Sequence, residues 1–314
     1  MSRTFLSYVE LDEMNLARLK SYAEVYTPSS AGFEEAKQKA EAVLCIALKK
    51  EDVQMLKNLR FIQVLSAGVD GLPWQDIPQN VVVCGNMGSN ADAVAEHAWS
   101  LVLTLAKKLH HYLPKVRSGD FKRDTTVLQL KGKTLCIVGM GSIGRRVAEI
   151  GKAFGMRVYG VTRSGSSPMA VDKVVPPDGL DEVLKDSDVI VLAAPLTKHT
   201  RGLISLERLR ILKKSCILVN VGRAELIDRE GLLAYMRENP EAAVATDVWW
   251  NVVREGPWEN ELVKHPNFIG TPWIAGAFGS PEVLKQMTSM AVENIIRYFR
   301  GEKPLNAVDK AEYV

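Results

Sequence analysis

The chain has 314 residues, 46% of them hydrophobic, more than one compact core ordinarily spans, which predicts two domains. The formal net charge is only +3 and the basic residues are scattered along the chain, so nucleic acid is excluded as the main partner. No apolar run reaches bilayer length, and the first residues are too polar, with Glu10 and Asp12, for a secretory core, so the expectation is an untargeted cytoplasmic protein with no membrane partner.

Short apolar runs alternate with helical stretches from end to end, the pattern of α/β proteins whose parallel sheets are covered by helices. In the first part, strands are predicted at residues 5–9, 42–47, 61–65 and 81–84, and helices at 13–22 and 52–59. A longer amphipathic helix is predicted from about residue 90 to 117, N-capped by Asn90, with Val94, Ala98, Leu101, Leu105 and Leu109 on one face. Strands then follow at 134–138, 157–161, 189–192, 216–219, 243–246 and 268–269, six in all, enough for a complete doubly wound dinucleotide fold. The last helix, about 281–300, has Pro281 in its first turn and stops at Gly301. The predicted organisation is a smaller flavodoxin-like α/β substrate domain, residues 1–91 completed by 281–314, and a Rossmann domain over 92–280. Cys45, Cys84, Cys136 and Cys216 each lie in an apolar run with no close C-x-x-C spacing, so reduced core thiols and no metal site are expected.

Residues 135–144, Leu-Cys-Ile-Val-Gly-Met-Gly-Ser-Ile-Gly, run a strand directly into a glycine-rich turn and a helix. Gly139 permits the tight turn, Gly141 lets the backbone approach a pyrophosphate, and Gly144 lets helix and strand pack closely, while backbone amides and the helix dipole face the phosphates. The next strand ends in Val161-Thr162-Arg163-Ser164, with no acid to bond a ribose 2′-hydroxyl. A guanidinium and two hydroxyls suit a 2′-phosphate instead, so NADP is the expected cofactor, with NAD as the alternative. Arg223 follows a buried strand at the end where ligands of open α/β sheets collect, and its fork can hold a carboxylate and a 2-oxo group.

Taken together, Ser66-Ala67-Gly68-Val69-Asp70, Val94-Ala95-Glu96-His97-Ala98, the glycine motif, Ala194-Pro195-Leu196-Thr197 with Thr200, Val219-Asn220-Val221-Gly222-Arg223, Asp247-Val248 and Thr271-Pro272 resemble the D-isomer-specific 2-hydroxyacid dehydrogenase family. Arg163 looks like the glyoxylate and hydroxypyruvate reductase branches, which favour NADP. The resemblance implies hydride transfer between a nicotinamide cofactor and a small 2-oxo or 2-hydroxy acid. It implies that Arg223 and the backbone amides of Ala67 and Gly68 bind substrate, which would place it between the domains. It also implies that Asp247 holds the nicotinamide carboxamide, and that Ser142, Ile143, Ala194, Pro195, Thr200, Val221 and Gly222 belong to the cofactor site. A homodimer is implied as well. His97 falls near the apolar face of the long helix and reads as a satisfied structural histidine.

The pattern breaks at one place: the family's proton-donating histidine normally follows Thr-Pro of the last strand, and here that residue is Trp273. An indole donates one hydrogen bond but cannot ionise usefully near neutral pH. Glu255 is the candidate partner carboxylate, though it falls later than the family's Glu-Pro pair. Three readings stay open. A 2-oxo acid could still be reduced with a proton from water, Glu255, Lys264 or His265, the last poorly placed before the final strand. The substrate could need little proton transfer, with Trp273 shaping the pocket. The third is a catalytically weak NADP(H)-binding redox sensor. Trp249 and Trp250 either join Trp273 in an apolar pocket or pack in the core or a subunit interface.

Overall fold

The computed structural model describes residues 3–250, 260–276 and 279–314. Two compact units form, one from Met1–Asn90 with Ala277–Val314 and the other from Ala91–Gly276. In chain order the first unit runs β1 (Thr4–Ser7), α1 (Glu13–Lys20), β2 (Glu24–Tyr26), α2 (Phe33–Ala36), β3 (Ala42–Cys45), α3 (Lys50–Met55), β4 (Phe61–Val64) and β5 (Val82–Cys84). The second runs α4 (Ala91–Ala106), α5 (Leu109–Arg117), β6 (Thr134–Val138), α6 (Ser142–Ala153), β7 (Arg157–Val161), β8 (Lys173–Val175), α7 (Leu180–Asp186), β9 (Val189–Leu192), α8 (Leu206–Arg210), β10 (Ile217–Asn220), α9 (Arg229–Glu238), β11 (Ala243–Thr246), α10 (Asn260–Lys264) and β12 (Phe268–Gly270). The chain then returns to the first unit with α11 (Pro281–Phe299).

The first unit is a parallel sheet in the order β2-β1-β3-β4-β5. Successive side chains of a strand face opposite ways, so Phe5 and Leu6 enter two different cores. One core gathers Leu6, Val43, Ile62 and Val64. The other gathers Phe5, Leu44, Phe61 and Leu65 under Met287, Ala291, Ile295 and Phe299 of α11. Each large apolar side chain buried there contributes about 1.5–3 kcal/mol. Ser280 caps α11 by accepting from Val283 N, and Asn294 Nδ2 donates to Gln63 Oε1 at 2.7 Å, which satisfies a buried amide beneath the helix.

The second unit is a parallel sheet in the order β12-β11-β10-β9-β6-β7-β8. Growth runs outward from β6 through β7 to β8, then restarts beside β6 with β9 and continues the other way to β12. The loops after β6 and β9 therefore diverge at the C-terminal edge, and this switch in direction opens the crevice where α/β sheets bind dinucleotides.

Seven strands replace the six expected, because Lys173–Val175 pairs with β7 at the sheet edge. In the first unit Glu24–Tyr26 adds an edge strand likewise. Both are three residues long and lie at a sheet edge, too short to carry the apolar run that marks a central strand. The long helix is also corrected to two. Val94, Ala98, Leu101 and Leu105 are buried, but Lys108 adopts φ +53°, breaking the helix, and Leu109 turns outward, 42% exposed. Asn90 does not cap α4 through its side chain, whose buried Oδ1 accepts no hydrogen bond among the described residues.

Candidate functional site

The glycine turn is built from steric necessity. Gly139 has φ +99°, and a Cβ there would lie 2.7 Å from the Ala194 Cα and N, so only glycine passes between the ends of β6 and β9. A Cβ on Gly144 would fall 2.0 Å from Gly139 O, which is how close α6 sits to the turn. At Gly141, the N-cap of α6, nothing lies within 4 Å of an added Cβ, and no side chain caps the helix. The orphan amides of the first turn thus face open space, where helix dipole and N–H donors favour a phosphate. This cradle fits the pyrophosphate of a dinucleotide, whose nicotinamide supplies redox chemistry when bound. Ile143 packs against the core beneath the turn, and Ser142, the first residue of α6, is half-buried.

At the end of β7 the loop is held by its own hydroxyls. Thr162 Oγ1 donates to Ser166 O at 3.0 Å and accepts from Ser166 N at 3.1 Å, and Ser164 Oγ lies 2.9 Å from Ser166 Oγ. Gly165, at φ +65°, closes the turn, and Arg163 and Ser164 are exposed on it. Ser166 was not singled out by the sequence, although the Thr-x-x-x-Ser spacing could have indicated a hydroxyl-bridged turn. After β9, Thr200 Oγ1 donates to Pro195 O at 2.7 Å and accepts from Thr197 N at 2.8 Å, so its hydroxyl shapes the Ala194–Thr200 loop. Pro195 is exposed at the top of that loop and Ala194 is buried against Gly139.

After β10, Val221 N donates to Leu192 O at 3.1 Å and Gly222 N donates to Asn220 Oδ1 at 3.1 Å. Asn220 Nδ2 in turn donates to Arg223 O at 2.8 Å, fixing the backbone of half-buried Arg223, whose Nη1 donates to Gly222 O at 2.9 Å. A Cβ at Gly222 would sit 2.9 Å from Ala194 O, so the loops after β9 and β10 are in close contact.

The loop after β12 is organised by one buried carboxylate. Asp247, 3% exposed at the end of β11, accepts from Thr271 Oγ1 at 2.6 Å and Ile274 N at 3.0 Å on Oδ1, and from Ala275 N at 2.9 Å on Oδ2. Trp273 N donates to Asp247 O at 3.2 Å. His97 Nε2 reaches Thr271 Oγ1 at 2.9 Å and lies 3.6 Å from Asp247 Oδ1. Because the threonine hydroxyl gives its proton to the carboxylate, the imidazole is the donor to Thr271. His97 is thus satisfied within the fold, as the sequence predicts, but as an anchor of this loop. Trp273 stands in the left-handed region, φ +55°, a posture costing a side-chain-bearing residue about 1–2 kcal/mol. Its indole is 45% exposed, and Ile274 beside it 54%.

The two earlier tryptophans are packed instead. Trp249 Nε1 donates to Thr271 O at 2.8 Å, its ring closing over Gly270, and Trp250 Nε1 donates to Ile227 O at 3.2 Å from a buried position. Among the described residues both indoles are thus engaged in packing, Trp250 buried and Trp249 half-buried against Phe268 and Gly270. His265 precedes β12, at the opposite sheet edge, where its Nδ1 accepts from Asn267 N at 3.2 Å and burial lowers its pKa. Lys264 is exposed at the same end. Glu255 lies outside the described residues.

In the first unit, Ala67 and Gly68 follow β4 at the C-terminal edge of its sheet. Ser66 Oγ donates to Gly68 O at 2.8 Å and Trp74 Nε1 donates to Val69 O at 3.0 Å, which set the loop's shape. Gly85 is required beside it, since a Cβ there would meet Ala67 O at 2.6 Å. Neither the Ala67 nor the Gly68 amide donates to another described residue. Among the described residues no cluster of His, Cys, Asp and Glu could hold a metal, and no helix is long and apolar enough to cross a membrane.

The model of the D-isomer specific 2-hydroxyacid dehydrogenase family, NAD binding domain, matches residues 99–275. A glyoxylate reductase of Aeropyrum pernix is 32% identical over 287 residues, covering 87% of this chain and 84% of its own, and one of Pyrococcus furiosus is 31% identical over 283 residues, covering 86% and 82%. A solved structure from Pyrobaculum aerophilum superposes with a TM-score of 0.88 at 35% identity, covering 99% of this chain and 100% of its own. The chain belongs to the D-isomer specific 2-hydroxyacid dehydrogenase family, and is an oxidoreductase with the nicotinamide-binding Rossmann fold of that family.

Proposed function

We propose that the chain moves a hydride between NADP(H) and a small 2-oxo acid or its D-2-hydroxy acid. The observation that supports this best is the convergence of the glycine turn, exposed Arg163 and half-buried Arg223 on the C-terminal edge of one parallel sheet. Arg163, with Thr162 and Ser164 beside it, pairs with the 2′-phosphate and selects NADP over NAD. Gly139, Gly141, Ser142, Ile143 and Gly144 hold the pyrophosphate, and Ala194, Pro195, Thr200, Val221, Gly222 and Asp247 shape the nicotinamide end. Asp247 does so chiefly by fixing the loop after β12, since its carboxylate already accepts three hydrogen bonds.

Arg223 grips the substrate carboxylate and 2-oxo group bidentately. Trp273 stands where the family's proton-donating histidine is expected, so reduction of a keto group takes its proton from water or from Glu255. The chain acts in the cytoplasm as a homodimer. Leu109, Leu113 and Val116 recur at helical spacing along α5, where no residue is buried, and all are exposed, as are Phe121 at 75% and Val127 at 56%. A second copy is the partner that fits this face.

The test is NADPH oxidation against a panel of 2-oxo acids with wild type, Arg223→Ala and Trp273→His. Turnover in the wild type that Arg223→Ala abolishes supports the reading. A wild type silent toward every acid, with turnover appearing only in Trp273→His, refutes it.

A further inference from the structure

The pairing of β7 with β8 ends at Val161 and Val175, and one further bond, from Thr162 N to Val175 O at 3.1 Å, carries the chain off the sheet. Beyond it Gly165 N donates to Thr162 O at 3.2 Å, closing a β-turn with Arg163 and Ser164 at its two central positions. Both residues are exposed, and they stand at the end of the second strand of the dinucleotide unit, where such folds meet the adenosine ribose.

A single side chain locks this turn. The Thr162 hydroxyl donates to Ser166 O and accepts from Ser166 N, so it bonds both polar groups of one residue's backbone and clasps the turn across its open end. Gly165 is pressed against the residue that follows β8, since an added Cβ would meet Pro176 Cδ at 3.1 Å and Pro176 N at 3.3 Å. Met169 N donates to Ser167 Oγ at 3.1 Å and continues the bracing. The sheet does not need the clasp, because its last backbone bond is already made at Val175. What the clasp fixes is the backbone of residues 163 and 164.

A hydroxyl carries one proton, and that of Thr162 is given to Ser166 O. Toward a phosphate it would turn a lone pair, so its chemistry suits a brace and not a ligand. A loose turn must be ordered when an anion binds, and a turn ordered beforehand is spared that cost.

We propose that Thr162 is a positioning residue for cofactor choice. By clasping Ser166 it preorganises the turn of residues 162–165, and this preorganisation, with no contact from Thr162 itself, lets the turn tell a 2′-phosphate from a 2′-hydroxyl. The inference rests on the NADP reading of this turn given above. Its effect falls on NADPH more than on NADH, because only the phosphate draws charge-assisted hydrogen bonds from the turn.

Wild type, Thr162→Val, Thr162→Ser and Ser166→Ala are titrated with NADPH and NADH by nucleotide fluorescence. The cofactor-free full chains are also digested with trypsin, and cleavage of the Arg163–Ser164 bond is followed by mass spectrometry. Thr162→Val should lower the ratio of NADPH to NADH affinity about tenfold, and should speed cleavage after Arg163, because a released turn reaches the protease more often. Thr162→Ser keeps the hydroxyl and should restore both. Ser166→Ala keeps the backbone groups that the clasp uses and should behave like Thr162→Ser. A ratio that falls in Thr162→Val while cleavage stays unchanged makes Thr162 a phosphate ligand and overturns the positioning role. A Ser166→Ala protein that loses as much as Thr162→Val overturns it too. If wild type favours NADPH and Thr162→Val does so equally, the clasp proposal falls and the NADP reading stands. If wild type binds NADH as tightly as NADPH, both fall.

Discussion

Two glycines three residues apart should separate folding from cofactor binding. A methyl group at Gly144 would meet Gly139 O at 2.0 Å, the Gly139 carbonyl carbon at 3.0 Å and Ile137 Cγ2 at 3.1 Å. Two of these are backbone atoms, so α6 must move off β6 by more than an ångström. Overpacking of this kind costs about 1–3 kcal/mol. A methyl group at Gly141 meets nothing within 4 Å, and its φ of −70° suits any residue, so Gly141→Ala should leave stability within about 0.5 kcal/mol of wild type. The same methyl protrudes into the space in front of the α6 amides and holds a pyrophosphate away. NADPH affinity should fall at least tenfold, about 1.4 kcal/mol. Urea unfolding and NADPH fluorescence titration on both variants make the comparison. A Gly141→Ala protein that binds NADPH like wild type, or a Gly144→Ala protein of undiminished stability, refutes this account of the turn.

Thr271→Val removes a hydroxyl from the buried Asp247 carboxylate and from His97, and should cost about 1.5–3 kcal/mol in urea unfolding, whereas Thr271→Ser should restore most of it. Arg163→Asp should lower the ratio of NADPH to NADH affinity at least tenfold in parallel titrations, and an unchanged ratio would remove Arg163 from cofactor selection. The four buried thiols should resist iodoacetamide in the native state, since burial pushes Cys84 up to about 11 and Cys45 and Cys136 up to about 12, and raises Cys216 as well. The unfolded chain ionises these groups near their ordinary value of 9.0 while the folded chain keeps its protons. Their contribution is therefore intact below pH 9 and declines as pH rises toward 11–12, which stability measured along a pH series should show.

Central strands were legible because burial on both faces writes them as unbroken apolar runs, as in Val189–Leu192 or Ala42–Cys45. Edge strands β2 and β8 were not, since three residues at a sheet edge are too few to show such a run. The break at Lys108 was hidden because Leu109 continues the apolar spacing of α4 while its side chain turns to solvent. At the site, the glycines, Arg163 and Arg223 could be placed from the strand each one follows. The anchor of the Trp273 loop could not, because His97, Asp247 and Thr271 come from three distant segments and meet only through the register of β11 and β12. The packed fate of Trp249 and Trp250 was undecided for the same reason, as each indole N–H is satisfied by a carbonyl more than twenty residues away.

Deuterium transfer tests the central claim most directly. NADPH carrying two deuterium atoms at C4 of the nicotinamide is incubated with the full chain and a 2-oxo acid, and the product is analysed by mass spectrometry. The account predicts one deuterium at C2 of the product, which disappears in Arg223→Ala. Product without deuterium, or label transfer that is indifferent to Arg223, would contradict it.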